Sequence, residues 1–246
     1  EVKMLGLESP YLLITEENVP MVRGGSQVFG LSFIPGSWVE SMQVTKGVGS
    51  VVNGFESISG QVNIELNKPI SDDPIFINLF RNNMGRNELN FHINRKVNKK
   101  LSTGLFIHAD HRKEKFDGNN DGFLDSPLVE GYSIFNRWQL TDLEKGIVSF
   151  FGIKFMKNDK EGGEKNDANS LLSKLWLSEI KTERFDASFK LGYVNPNIPY
   201  QSLGFQMAYS DHDQNSFFGI RNYDITHRSL YSNLIYNSII GNTMNK

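Results

Sequence analysis

The chain has 246 residues, and its 26 Lys and Arg nearly balance 28 Asp and Glu, a formal net charge of −2. That balance excludes the basic footprint of a nucleic-acid binder and the extreme charge of a disordered chain. The absence of cysteine excludes disulfide scaffolds, cysteine-ligated zinc or iron–sulfur centres and thiol nucleophiles. No run of about 18 apolar residues offers a transmembrane helix. A slightly negative mean hydropathy fits a soluble protein and equally a membrane β-barrel, whose strands alternate apolar and polar residues.

Glycines at Gly24-Gly25, Gly30, Gly36, Gly47, Gly49, Gly54 and Gly60 punctuate the first seventy residues between short β-branched runs. Helical periodicity is weak there, which predicts short strands and turns. Tyr11 to Thr15 and Met42 to Lys46 read as buried strands and Val62 to Leu66 as a third, with a helical turn or loop over Ser50 to Phe55. After Pro69 and Pro74 the texture changes to alternating segments of about 8 to 12 residues. Leu89, Phe91 and Ile93 oppose Asn90, His92 and Asn94. Leu105 and Ile107 oppose Gly104 and His108, with Phe106 the exception on the polar side. Phe189, Leu191 and Tyr193 oppose Ser188, Lys190 and Gly192, and Leu230, Leu234 and Tyr236 oppose Ser229 and Asn233. Short turns are expected at Val97 to Lys100, Thr141 to Lys145 and Lys181 to Glu183. Longer loops are expected at Arg112 to Glu130 and Asn158 to Asn169, with a shorter third at Asn195 to Gln201. This gives about ten strands from residue 75 onward. Alternation by itself describes a membrane barrel or any antiparallel sheet with one face on a core.

The run from Trp38 to Gly47 ends a strand in Lys46-Gly47; Val48 to Gly54 follows as a turn containing Ser50 and Asn53-Gly54; Gly60-Gln61-Val62-Asn63-Ile64 opens the next strand. This order of Lys46, Gly47, Ser50, Asn53, Gly54, Gly60 and Asn63 resembles the end of the plug domain of TonB-dependent outer-membrane receptors. The variant Asn53-Gly54-Phe55-Glu56 is similar to receptors of the Bacteroidetes type. Upstream, Pro10 to Ile14 with Val19-Pro20, and Phe29 to Leu31 with Ile34-Pro35, resemble the plug's central strands and turns. Gly47, Gly54 and Gly60 would allow positive φ and close backbone approach. The resemblance implies an all-β fold with minor α in the plug: the C-terminal part of a plug over residues 1–72, and the first strands of a large antiparallel transmembrane barrel over residues 73–246. Plugged transporters close with 22 strands, and a ten-stranded barrel has no room for a plug, so the chain is expected to be an internal fragment without the TonB box. The implied function is TonB-dependent uptake of a scarce nutrient across the outer membrane, with an iron–siderophore or other metal chelate as the default and cobalamin or glycans open. The implied partners are outer-membrane lipid, the TonB–ExbB–ExbD complex and a small-molecule or metal-chelate ligand, and no nucleic acid.

Outside that resemblance, Asp117 to Asp125 places oxygens at alternate positions with Gly122 sixth, the first part of an EF-hand-like calcium loop. Asp117, Asn119 and Asp121 would supply side-chain oxygens, Phe123 a carbonyl, and Asp125 a direct or water-mediated contact. The twelfth position is Leu128 where a Glu belongs, and the same composition suits a turn-rich loop without metal. His108 and His111 are three apart on a strand, so they point to opposite faces and do not share a metal. His92 and His108 are expected as polar wall residues, and Asp159 to Asp167 as a mixed-charge solvated loop. No G-x-S-x-G, H-E-x-x-H or P-loop is present, so catalysis has no support. Two other classes stay open: a soluble β-sandwich or barrel binding module, calcium-dependent or not, and a receptor-like barrel within a surface or secretion assembly.

Overall fold

Leu12 to Glu16 carries apolar or β-branched side chains on both faces until its last residue, the composition of a strand covered on both sides. In the computed structural model, which describes residues 3–50, 52, 56–165, 175–239 and 241, this run is β1 (Leu12–Glu16) and is buried throughout. It forms a hairpin with β2 (Val19–Val22), pairs in parallel with β4 (Gly60–Leu66), and β3 (Val39–Lys46) adds to β4 antiparallel. The small sheet therefore runs β2-β1-β4-β3. The expected strand at Met42 to Lys46 exists but is not buried: β3 lies at the sheet edge, with Met42 52% and Val44 54% exposed. A short apolar run looks the same on an edge as in a centre. Tyr11 closes a 3-10 turn (Ser9–Tyr11) ahead of β1. Two further 3-10 segments, Gly24–Phe33 and Gly36–Trp38, make up the rest of the helical part.

From residue 75 the chain forms an antiparallel meander: β5 (Ile75–Arg81), β6 (Arg86–Lys96), β7 (Leu101–Arg112), β8 (Leu128–Asp142), β9 (Ile147–Gly163), β10 (Leu177–Val194), β11 (Ser202–Phe218), a two-residue β12 (Arg221–Asn222) and β13 (Ile225–Asn237). Among the described residues these are eight long strands and one short piece, where about ten strands were expected. Lys181 to Glu183 is not a turn but lies inside β10, and Asn158 to Gly163 continues β9. The error has a physical cause. Charged residues at alternate outward positions look like loop sequence, but here they pair along the wall, Lys157 with Glu183 at 2.8 Å and Lys181 with Glu179 at 2.7 Å. Of the expected loop after Asn158, residues 166–169 lie outside the described residues. The connections at 82–85, 113–127 and 219–224, with the C-terminal end of β9 and the N-terminal end of β10, fall at one end of the meander, and those at 97–100, 143–146 and 195–201 at the other. Asn195 to Gln201 thus belongs with the short turns.

The two faces of this wall differ. Along β10 the outward positions from Tyr193 to Phe185 are Tyr, Leu, Phe, Ala and Phe, and further on they become Glu183, Lys181 and Glu179. Register carries the same belt across neighbours, as in the row Trp138, Phe151, Phe189 and Met207. The belt covers about 26 Å along the strand at about 3.3 Å per residue, or about 20 Å along the normal of a wall tilted by about 40°. The inward face is polar and buried, with Asn90, His92, Ser133, Arg137, Thr182 and Gln214 among its residues, because the small sheet lies on it. Phe106, the exception in the alternation, points inward. It meets Trp38 edge-on with ring centroids 6.1 Å apart and packs against Phe135 at 5.8 Å.

Candidate functional site between the small sheet and the wall

The β1–β2 hairpin presents the site. Its two turn residues, Glu17 and Asn18, have φ of 51° and 64°, the two-residue turn that suits strand twist but costs a non-glycine residue about 1–2 kcal/mol. Three backbone and side-chain bonds hold it. Glu17 N–H donates to Ile64 O at 2.8 Å, Asn18 N–H to Asn63 Oδ1 at 2.8 Å, and Thr15 Oγ1 to the same Asn63 oxygen at 2.8 Å. Asn63 in turn donates to Glu65 Oε1 at 3.0 Å. One residue of the sequence motif is therefore the bracket of this hairpin.

The other motif residues lie elsewhere. Lys46 ends β3 opposite Gly60. Gly47 has φ of 90° and donates to Ser59 O at 2.8 Å. Gly60 allows close approach without a left-handed backbone, since a Cβ there would lie 2.5 Å from Thr45 O. Ser50 Oγ accepts from Val52 N at 3.3 Å. Asn53 and Gly54 lie outside the described residues.

Against the hairpin the wall sets alternating charges from three consecutive strands. Arg137 of β8 donates to Glu17 Oε1 at 2.7 Å and to Asn67 O at 2.8 Å. Lys154 of β9 reaches Glu16 Oε1 at 2.5 Å and Asp186 at 3.5 Å. Arg184 of β10 holds Asp186 through Nε at 2.9 Å and Nη2 at 2.8 Å and donates to Met21 O at 2.6 Å. Lys190 donates to Glu17 O at 2.8 Å, with the Glu17 carboxylate 3.6 Å away. Four cations thus face three carboxylates, and main-chain oxygens of the small sheet take up the surplus donors. Burial opposes ionisation of Glu17 most strongly, but Arg137 and Lys190 together outweigh it and hold its carboxyl below the ordinary 4.5. Removing one member of such a buried set strands its partner, at a cost of about 3–5 kcal/mol. The arrangement docks one folded sheet onto another; it offers no nucleophile and base within reach of each other.

The polar wall histidines are placed as the alternation implies. His92 is buried with Nε2 2.9 Å from Asp72 Oδ2 and its ring stacked on Phe76 at 4.8 Å. His108 Nδ1 lies 2.8 Å from Asn90 Oδ1. In the 117–125 loop each carboxylate expected for calcium already accepts a backbone N–H through one oxygen, while Asp117 Oδ1 is buried without a hydrogen-bond partner. Asp117 Oδ2 accepts from Gly122 N at 3.1 Å, Asp121 Oδ1 from Phe123 N at 2.9 Å and Asp125 Oδ2 from Gly118 N at 2.9 Å. Asn119 Nδ2 donates to Asp121 at 2.9 Å. Among the described residues no three His, Asp or Glu side chains are grouped to hold a metal ion.

The sequence expectations did not name Glu16, Glu17, Arg137, Lys154 or Arg184. For Arg137, Lys154 and Arg184 the signal is a charge at inward positions of alternating strands, which Asp186 and Lys190 also show, while Glu16 and Glu17 carry none, at the end of a strand buried on both faces and in the turn after it.

A small mixed sheet seated on the polar face of an antiparallel meander whose other face is an apolar belt is the architecture of part of a plugged β-barrel. The sequence matches no family model and no curated protein. Among solved structures the chain is similar to the ferric-catecholate import receptor Fiu from E. coli K12 in an open form. That match has a TM-score of 0.64 and 11% identity and covers 94% of this chain and 38% of the other. It is also similar to the siderophore receptor PirA from Acinetobacter baumannii, with a TM-score of 0.55 and 14% identity, over 92% of this chain and 36% of that one. At these identities the likeness is one of fold. The chain spans less than two fifths of the length of either receptor.

Proposed function

We propose that this chain belongs to a TonB-dependent receptor of the outer membrane and contributes the C-terminal part of its plug, residues 1–72, and the first strands of its barrel, residues 73–246. The receptor takes up a scarce nutrient, an iron–siderophore or other metal chelate, and is not an enzyme. One observation carries the reading: the inward face of the wall is polar and occupied by the small sheet, while the outward face is a continuous apolar belt about 20 Å tall, approaching the apolar band of a membrane barrel. The names of the two neighbours, a ferric-catecholate import receptor and a siderophore receptor, support an iron chelate as cargo. The motif from Lys46 to Asn63 supports the Bacteroidetes type, a plug placed as an internal segment of a longer receptor, and a link to TonB–ExbB–ExbD. In this reading Asn63, which brackets the hairpin docked on Arg137, connects a pull on the plug to its release from the wall. The test is chelate uptake in cells deleted for the gene, with and without an active TonB system. Loss of iron-chelate uptake and of growth on limiting iron in both mutants is expected. Unchanged uptake together with impaired export of surface proteins would overturn the proposal in favour of an assembly role.

A further inference from the structure

A cavity of about 400 Å³ lies at the long-loop end, between residues 32–36 and the inward rows of β6 to β9. Register stacks those rows. Asn90, His108, Ser133 and Met156 form the lowest, then Glu88, Asp110, Gly131 and Asn158, then Arg86, Arg112, Val129 and Lys160. The carboxylates of the middle row are partnered by the rows above and below. Glu88 is held by Arg86 at 2.8 Å and Asn90 at 2.9 Å, and Asp110 lies 3.7 Å from His108 Nε2. Gly131 leaves room there, since a Cβ would overlap the side chains of both Asp110 and Asn158.

In the top row Arg86 is taken up by Glu88, but the other two cations are not. Arg112 makes one long contact, 3.5 Å to Pro127 O, and its buried Nε has no acceptor. The Lys160 side chain makes no hydrogen bond or ion pair among the described residues; the carboxylate whose charge it feels is Asp110 in the row below. Only Val129 separates the two across the sheet, so their backbones lie roughly 10 Å apart. Two long cationic side chains over that gap can close on one oxyanion, and a site partly shielded from water strengthens such charge-assisted bonds.

We infer that this cavity binds the transported solute through an anionic oxygen group held between Arg112 and Lys160, so the cargo is an anionic chelate and not an uncharged one. The inference rests on the uptake reading above and specifies its cargo. The test is binding to the full-length protein in detergent of two ferric complexes of similar size, an anionic tris-catecholate and an uncharged tris-hydroxamate, with inorganic phosphate as competitor. In the double variant R112Q/K160Q, affinity for the anionic complex is expected to fall about tenfold or more, while any binding of the uncharged complex stays the same. Wild-type affinity for the anionic complex is expected to weaken with added salt. Lys157→Gln on the outward face of the same strand serves as the folding and charge control. Equal losses for both complexes, no loss for either, or tight binding of the uncharged complex alone overturns the inference. Uptake of the uncharged complex would do so while leaving the receptor reading intact. Phosphate binding that depends on Arg112 and Lys160 without any chelate binding would keep an oxyanion site and overturn its assignment to a chelate.

Discussion

Arg137 and Glu17 lie 120 positions apart in sequence and meet at 2.7 Å, both nearly inaccessible to solvent. Replacing Arg137 with Met leaves the Glu17 carboxylate buried without its hydrogen-bonding cation, with Lys190 3.6 Å away and Lys68 acting from farther off. Replacing Glu17 with Gln leaves Arg137 without its carboxylate and Lys190 with only the weaker influence of Glu65. Each single change is expected to weaken docking of the small sheet by about 3–5 kcal/mol. The double variant should lose much less than the sum, because no charge is then stranded, and the coupling should exceed the 0.2–1 kcal/mol typical of exposed pairs. The assay is amide exchange across residues 12–22 of the protein in detergent, read against strand amides of the wall as an internal standard. Proton linkage gives an independent check. Glu17 has a depressed folded pKa, so its contribution is fully present above its ordinary 4.5 and is lost as pH falls below that value through the lower folded one. Protection of the hairpin should therefore drop on acidification in the wild type and lose that pH dependence in Glu17→Gln. Additive single and double effects, or the same acid response in the variant, would refute the ion pair as the docking element.

Three further outcomes are expected. Phe189→Arg, in the middle of the outward belt between Phe151 and Met207, should destabilise the wall by about 2–4 kcal/mol in a lipid-folding assay. Lys181→Ala, beyond the belt on the same strand, should change it little; equal effects would remove the lipid-facing reading. Asn63→Ala should loosen the Glu17-Asn18 turn by about 1–3 kcal/mol, seen as faster exchange at Asn18 than at Leu13, and unchanged exchange would show that the bracket is dispensable. Calcium should leave protease cleavage of the 113–127 loop unchanged, since its carboxylates already accept backbone N–H groups. Protection by calcium that disappears in Asp121→Asn would instead establish that loop as a cation site.

The wall was legible in the sequence because its signal repeats. Each strand re-states which residues want an apolar medium, and one misplaced turn at Lys181 to Glu183 does not alter the pattern elsewhere. The exception at Phe106 was a visible trace of the buried partner, because an aromatic on a polar face needs something apolar to meet, and Trp38 is that something. The charge cluster was not legible. Its members are scattered from Glu16 to Lys190, and pairing across such distances depends on strand order and height, which alternation does not encode. The hairpin turn hid for a different reason. Glu17 and Asn18 adopt left-handed backbone without a glycine to announce it, at a cost the wall's cations offset. Edge position hid β3 in the same way, since Met42 and Val44 look like core until their neighbours are known.

The division of labour within this interface follows from its chemistry. Leu12, Ile14, Val22 and Ile64 bury their side chains in a cluster largely internal to the small sheet and its connecting segments, and the wall joins that cluster through Phe106, Phe135 and Met156. Beside this patch runs the covalent link, where Asn67 N–H donates to Trp38 O at 2.9 Å. A second, smaller apolar contact joins Val19 and Met21 of β2 to Ala208 of β11, with Tyr231 packed against it, and Phe33 meets the His212 ring at 5.6 Å; the remaining contacts between the two sheets are ions and main-chain carbonyls. Separating apolar surfaces costs about 25 cal/mol per Å² with nothing returned by solvent, whereas separated charges recover hydration. The aromatic patch next to the link is therefore the contact that resists parting most, and the polar remainder holds register at small net cost to open. Trp38→Ala tests this: it should loosen the attachment even with every ion pair left in place, and retention of full docking in that variant would show that the aromatic patch is not what holds the two sheets together.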